Sequence, residues 1–437
     1  MTVTRTGKVA IGVGIAFGVG IALGALWLVM SDVTGQKTRR TVQDDAQSLT
    51  DRGMSALKER RFDEAEPLLK QALAIREKVS GPEHPDTAKS LDDLAELYME
   101  QEKYAAAEPL YKRALAIREK VLGREHPDTA TSLNNLADVY RWQGRREDAE
   151  PLLKRALAIR KKALGAEHPD TVKSLDSLAE MYWAHKEYDE AEPLYRRALA
   201  IREKVLGPEH PDTVRSLCNL AMVSDEAESL YKRALSIREK VLGPEHPDTM
   251  QVMSELAVLY HKEWNYAAAE GLYKRLLAIE EKVLGAEHPD TVSTLIELAR
   301  VYHDKGGHER AKGNPAAAES GYKQALAIHE KASCADHPNT VIILESLAEL
   351  YREQGKYTEA EPLLKRVLAF QEREYGREAL ETAYALDELA RLYEAQQNYA
   401  AAVPLYERSL AIYRSKDNPN AEVVARKLKE LRSKIGK

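Results

Sequence analysis

The sequence predicts an all-α helical-repeat solenoid preceded by one N-terminal transmembrane helix. Three observations carry that expectation. The tetrad HPDT begins at His84, His126, His168, His210, His246 and His288, and HPNT at His337, with spacings of 42, 42, 42, 36, 42 and 49 residues. A period of this size marks stacked supersecondary units, not the three globular domains that 437 residues would otherwise suggest. Inside each period the apolar residues fall at helical spacing, as with Leu91, Leu94, Ala95 and Tyr98 at i, i+3, i+4 and i+7. Finally, Val9 to Met30 is an uncharged run of 22 residues.

Taken in order, residues 1–8 form a short basic tail with Arg5 and Lys8. The run over 9–30 would span roughly 33 Å as a helix, enough to cross a bilayer core. A cleaved signal peptide is the competing reading, because Ala22, Gly24 and Ala25 supply small residues after a basic start. Leu26 to Met30 nevertheless stay apolar beyond the roughly 7–15 residues usual for a signal core. Gly12, Ala16, Gly20 and Gly24 form a small-residue stripe, so a homodimer through this helix is one expectation and ordinary membrane-helix composition the other. Residues 31–41 read as a juxtamembrane linker holding Lys37, Arg39 and Arg40. With basic residues on both flanks the orientation stays open, tilted slightly toward N-terminus inside and repeats outside the cytoplasm. The expected localisation is thus a single-pass membrane anchor.

Residues 42–415 read as nine helix pairs. The first helix of a pair starts at the tetrad, where Pro127 suits the first turn and Asp128 complements the helix dipole. The second helix is exemplified by Tyr104 to Val121, with Ala107, Leu110, Tyr111, Ala114, Leu115 and Ile117 on its apolar face and Gly123 at its end. Second helices are expected to begin near Phe62, Tyr104, Arg146, Tyr188, Asp225, Tyr266, Pro315, Tyr357 and Tyr399. Of 21 tyrosines, 18 recur in register, which makes them packing residues rather than base-stacking ones. The stretch HDKGGHERAKGNP around Gly306 and Gly307 reads as a flexible loop inserted in the seventh unit. Residues 416–437 read as a capping helix with a thin apolar stripe of Val423, Val424, Leu428, Leu431 and Ile435.

The pattern LNNLADVY…GRREDAEPLLKRALAI, with small Ala137, Ala149 and Ala156 at the helix crossings, resembles a tetratricopeptide repeat. The 42-residue length, the long second helix ending AIREKVLG and the HPDT start are similar to the kinesin-light-chain variety. The resemblance covers residues 42–415 and implies a right-handed superhelix of antiparallel helix pairs that binds peptides or proteins. It does not imply a motor subunit, since the coiled coil that precedes the repeats in kinesin light chains is replaced here by the apolar run.

Charge and motif content exclude other classes. Residues 1–40 carry a net of +4, leaving 59 basic against 69 acidic residues, a net of −10, so nucleic acid is not an expected partner. Two isolated cysteines, Cys218 and Cys334, make neither a disulfide framework nor a Cys-rich zinc site. The recurrent histidines each begin a separate unit, too far apart for shared coordination. No phosphate loop, HExxH, GxSxG or CxxC is present, so no catalytic, cofactor or metal site is assigned.

What remains is a binding scaffold for a protein or peptide partner, with a self-associating assembly factor as the alternative. First-helix positions beside the buried stripe should line a concave groove: Asp92 and Glu96, Asn134 and Asp138, Asp176 and Glu180, with Glu345 and Glu349 further on. Their carboxylates, relieved by Lys89, Lys173 and Arg215, predict preference for basic or polar partners over acidic ones. The unit between His210 and His246 lacks six residues, so its first helix should end near Ser224 and its second begin at Asp225 or Glu226. The array should change path there, dividing into an N-terminal half of four regular pairs and a C-terminal half of four.

Overall fold

A computed structural model describes residues 42–331 and 338–435, which are helices and turns with no strand among them. The chain divides into two compact units, Met1–Ser224 and Asp225–Lys437. The described part of the first holds α1 (42–58), α2 (Phe62–Val79), α3 (Pro85–Glu100), α4 (Tyr104–Val121), α5 (Pro127–Trp142), α6 (Arg146–Ala163), α7 (Pro169–Ala184), α8 (Tyr188–Leu206) and α9 (Pro211–Ala221). The second holds α10 (Ala227–Leu242), α11 (Pro247–Lys262), α12 (Tyr266–Val283), α13 (Pro289–Ala311), α14 (Pro315–Lys331), α15 (Pro338–Glu353), α16 (Tyr357–Glu374), α17 (Leu380–Ala395), α18 (Tyr399–Ser415) and α19 (Asn420–Ile435).

The tetrad is a complete helix-start device. His126 is the N-cap, and its Nδ1 accepts from the Asp128 backbone N–H at 3.1 Å, so one of the first-turn donors is satisfied. Pro127 occupies the first helical position, where no N–H is needed. Thr129 donates its hydroxyl to the Gly123 carbonyl at 2.8 Å, tying the new helix to the end of the last, and Gly123 takes the left-handed φ of +95°. At Ala379 the cap bond is lost with the histidine, while Thr382 still reaches the Gly376 carbonyl at 2.7 Å.

The registered tyrosines fasten successive pairs. Rings at the ends of the first helices close the seam, and six of their hydroxyls donate to a glutamate on the preceding second helix: Tyr98 to Glu66, Tyr182 to Glu150, Tyr260 to Glu228, Tyr302 to Glu270, Tyr351 to Glu319 and Tyr393 to Glu361, all at 2.8–3.1 Å. Alanines at the crossings, among them Ala95, Ala107, Ala137 and Ala149, have no exposed surface. Small side chains there let the helix axes approach.

In the short unit α9 has 11 residues against 16 in α3, α5 and α7. It ends at Ala221, three residues before the expected point, and α10 begins at Ala227. Ser224 stands where a tyrosine is missing and still donates to Glu192 at 3.0 Å, so the seam keeps its hydrogen bond and loses its ring. Because repeat stability rests on nearest neighbours, amides of Leu217–Leu230 are expected to exchange faster than those of α7 and α12. Equal protection in native-state hydrogen exchange would overturn this.

Two expectations are corrected. The stretch around Gly306 is not a loop: α13 runs for 23 residues, about two turns longer than α11, and turns only at Gly313, whose φ is +76°. Its glycines serve close packing. A Cβ on Gly306 would lie 2.9 Å from the Tyr322 ring, and one on Gly321 would lie 2.7 Å from the Tyr302 carbonyl oxygen. The second correction concerns the membrane. Among the described residues no helix is long and apolar enough to cross a bilayer, since each keeps a charged outer face. The run over 9–30, on which the single-pass anchor and the membrane homodimer rested, lies outside the described residues.

Candidate binding groove

The first helices of unit one carry the six expected groove residues at unequal depths, from buried Asn134 to exposed Glu96. Asn134, Asp138, Asp176 and Glu180, from α5 and α7, come together in one cavity of about 590 Å³. Asp92 and Glu96, on α3, are not among its lining residues.

The carboxylates do not stand alone. Arginines from the second helices reach under them, which sequence reading missed. Arg202, with a side chain 7% exposed, pairs with both oxygens of Asp176 at 2.5 and 3.2 Å and donates to Ser216 on the next helix at 2.6 Å. Arg118 pairs with Asp92 at 2.6 Å and donates to Ser132. Arg160 donates to Ser174 at 2.8 Å and to Thr131 at 2.9 Å, and Arg76 to Ser90 and to Gln47. Nearer the surface, Arg141 lies 2.9 Å from Asp138 and 3.6 Å from Glu180. The cavity thus holds four carboxylates (Asp138, Asp170, Asp176, Glu180) against four cations (Arg160, Lys173, Arg202, Arg215). It is polar and balanced, not acidic. The overlooked signal is the tripeptide Ala-Ile-Arg, which recurs with the same 42-residue period as the tetrad at Arg76, Arg118, Arg160 and Arg202.

Burial pushes the carboxyls of Asp92 and Asp176 above their ordinary value, and the paired arginines oppose that shift. Asp93, with a weaker partner in Arg76 at 4.0 Å, is pushed up to about 6, mainly by burial. A carboxyl raised on folding contributes stability only while it is protonated, so this contribution fades as pH rises from about 4 through 6. Asp93→Asn is therefore expected to slow exchange in α3 at pH 7, by ~1–2 kcal/mol, and to change little at pH 4. A benefit equal at both pH values would contradict the charge argument.

Asn134, which lines the cavity, has a buried Oδ1 without a hydrogen-bond partner, and so has the Tyr195 hydroxyl, whose field is set by Glu180 and Asp176. Asparagines Asn135 and Asn219 line the same cavity. Among the described residues, no group of three or more His, Cys, Asp or Glu could hold a metal ion. Cys334 and His337 lie outside the described residues.

In unit two the position of the buried arginines becomes Glu280, His329, Gln371 and Tyr413 after Arg238. Glu280 faces Thr294, His329 lies 3.3 Å from Thr340, and Tyr413 donates to the buried Asp387 at 3.1 Å. The helix pairs are alike, but the chemistry beneath their first helices is not.

The tetratricopeptide-repeat family model matches residues 44–120, 93–162, 128–204, 178–223, 224–279, 251–312, 303–373 and 342–415. No match is found among curated proteins. Among solved structures, the chain is similar to the nearly identical TPR-like repeats of a kinesin light chain from Podosopora anserina, with 32% identity over 46% of this chain and 98% of that one, at a TM-score of 0.44. It is also similar to BtubC (BKLC) from P. vanneervenii, with 20% identity over 67% of this chain and 92% of that one, at a TM-score of 0.30. A signal-transduction ATPase with a tetratricopeptide repeat sensor, from Pyrococcus horikoshii, gives 16% identity over 89% of this chain and 55% of that one, at a TM-score of 0.45.

Proposed function

The chain belongs to the tetratricopeptide-repeat family, with repeats of the kinesin-light-chain-like type, and from that premise we propose that the groove of its first unit holds an extended, polar segment of a partner protein. Tetratricopeptide repeats generally bind proteins or peptides, and the reading here is a scaffold, not a catalyst. The observation that supports it is Asn134: 8% exposed, lining a cavity with equal numbers of cations and carboxylates, with Oδ1 unpartnered. A buried acceptor without a donor costs the fold about 1–3 kcal/mol, which a ligand N–H would offset once a turn of the side chain brings Oδ1 to the cavity. Balanced charge favours a segment carrying both signs over a uniformly acidic or basic one.

Binding of the full chain to an array of polar peptides, read before and after Asn134→Leu, tests the proposal. The substitution is expected to raise thermal stability while weakening peptide binding at least about ten-fold, near 1.4 kcal/mol. Reversing Lys173 and Arg215 to Glu should weaken it further, with the effect shrinking in high salt. Peptide binding indifferent to all three positions would remove the groove as the site.

A further inference from the structure

The corner where α11 turns into α12, together with the end of α13, carries a cluster that the groove does not use. Trp264 stands in the turn with a left-handed φ of +63° and is 64% exposed. Its ring meets His308 edge-on at 5.2 Å between centroids and Tyr266 at 6.4 Å, and Tyr266 lies 5.8 Å from His308. The planes stand at 59–61° to one another, so the rings form walls rather than a stack. In unit one, by contrast, the rings of Tyr104 and Trp142 are parallel, with planes at 4° and centroids 6.3 Å apart. His308 reaches the corner because α13 carries its two extra turns.

Asp304 lies on the wall of the same cavity, which has a volume of about 540 Å³. It accepts from His261 Nε2 at 2.9 Å and from His303 Nδ1 at 3.1 Å. Burial alone would raise the Asp304 carboxyl, but these hydrogen bonds hold it far below the usual range, and 43% of the side chain stays open to solvent. A carboxylate with one bond on each oxygen retains lone pairs for further donors.

Elsewhere this chain covers its own rings with cations. Arg145 lies 4.2 Å from the Tyr140 centroid, Lys274 and Lys305 lie 5.8 and 5.9 Å from Tyr302, and Lys356 lies 5.5 Å from Tyr351. Among the described residues, no such cation of the chain lies over Trp264 or Tyr266.

We propose that this corner is a cage for an arginine side chain of a partner protein. A guanidinium is planar and weakly hydrated, so it stacks on an indole face with little desolvation loss. Its remaining N–H groups can donate to Asp304 from that position. Lys262 on the cavity wall repels any cation, which a compact, strongly hydrated lysine ammonium offsets less well than a stacked guanidinium. The cage is separate from the groove of unit one and does not rest on the function proposed for it.

Titration of the full chain with N-acetyl-arginine amide at low salt, followed by NMR of the indole N–H groups, tests the assignment. The expected result is a saturable shift confined to Trp264, with a dissociation constant on the order of millimolar. N-acetyl-lysine amide should bind at least about three-fold more weakly, and N-acetyl-norleucine amide should leave Trp264 unmoved. His308→Ala and Asp304→Asn, checked for unchanged thermal unfolding, should each weaken the arginine amide about five-fold or more. A Trp264 that does not respond overturns the proposal. So does an equal response to norleucine amide, or full affinity in Asp304→Asn.

Discussion

Replacing Arg202 with Met should destabilise the α8–α9 seam by ~3–5 kcal/mol at pH 7, the largest effect expected of a single substitution in this chain. The methionine keeps most of the packing of the arginine stem, so the loss isolates the guanidinium. Three groups lose their partner: both oxygens of Asp176 and the Ser216 hydroxyl on the following helix. Asp176 is the decisive one. Burial already raises its carboxyl with Arg202 in place, and the hydrogen bond from Arg202 is the strongest opposing influence. Without it the folded carboxyl rises further above its ordinary value, so the variant should take up a proton on folding. The sign follows: the deficit is full above the raised value and shrinks as pH falls through it toward about 3.9, because a protonated Asp176 needs no counter-charge. Hydrogen exchange across α7, α8 and α9 measures this locally, which matters because a repeat array need not unfold in one step. Asp176→Asn in the Arg202→Met background should recover part of the loss at pH 7. A deficit unchanged between pH 7 and pH 4.5, or no recovery in the double variant, would mean that packing and not charge carries the effect.

That prediction concerns a residue whose role the sequence did not disclose, and the reason is physical. An arginine in a helix is ordinarily solvated, and nothing within Ala-Ile-Arg says that the next helix covers it. Burial of Arg202 depends on Ser216, fourteen residues on, and on Asp176, twenty-six back. The tetrad, by contrast, was legible because its device is local: His126, Asp128, Thr129 and Gly123 all lie within seven residues of one another. The seam tyrosines were legible as packing residues from their register alone. That six of their hydroxyls find a glutamate thirty-two residues earlier required the fold. Ser224 shows both sides of this: its place in the register marked a missing tyrosine, while the bond to Glu192 that survives the loss is a three-dimensional fact.

The groove was half legible for the same reason. The first-helix side chains could be placed on one face by periodicity, and four of the six do share a cavity. Its charge could not be read from that face, because the opposing cations Arg160 and Arg202 arrive from a different helix. Counting carboxylates along one helix therefore gave an acidic surface where the assembled one is balanced. Unit two extends the point. With Glu280, His329, Gln371 and Tyr413 in the arginine position, a ligand suited to the first groove meets different partners there. One array of similar helix pairs can thus present unlike surfaces, with specificity set from beneath the face that touches the ligand.

Gly321→Ala should destabilise unit two by ~2 kcal/mol, while Gly271→Ala, the same change in the neighbouring second helix, should stabilise it by ~0.5–1 kcal/mol. In an ordinary helix interior alanine gains up to about 1 kcal/mol over glycine, through lower backbone entropy in the unfolded chain. Gly271 offers that case, since a Cβ there would meet nothing within 4 Å. Gly321 does not. Its Cβ would lie 2.7 Å from the Tyr302 carbonyl oxygen and 3.0 Å from both Cα and N of Gly306. These are backbone atoms of α13, which can yield only if the two helices separate, so overpacking of up to about 3 kcal/mol exceeds the propensity gain. Most other second helices carry leucine at this place, as at Leu110, Leu152 and Leu194, so glycine at Gly321 goes with the lengthened α13 rather than with the repeat. Gly306→Ala should fall between the two, because its nearest neighbour is the Tyr322 ring, which can tilt, with the Ala318 carbonyl next at 3.1 Å. Separation of α13 from α14 would also shift His308 against Trp264 and loosen Arg310, which pairs with Glu349 at 2.9 Å and Glu353 at 2.6 Å on α15. Hydrogen exchange in α13 through α15 should therefore quicken in Gly321→Ala and slow slightly in α12 for Gly271→Ala. A stabilising Gly321→Ala would show that the close crossing is not what fixes α13 as a helix.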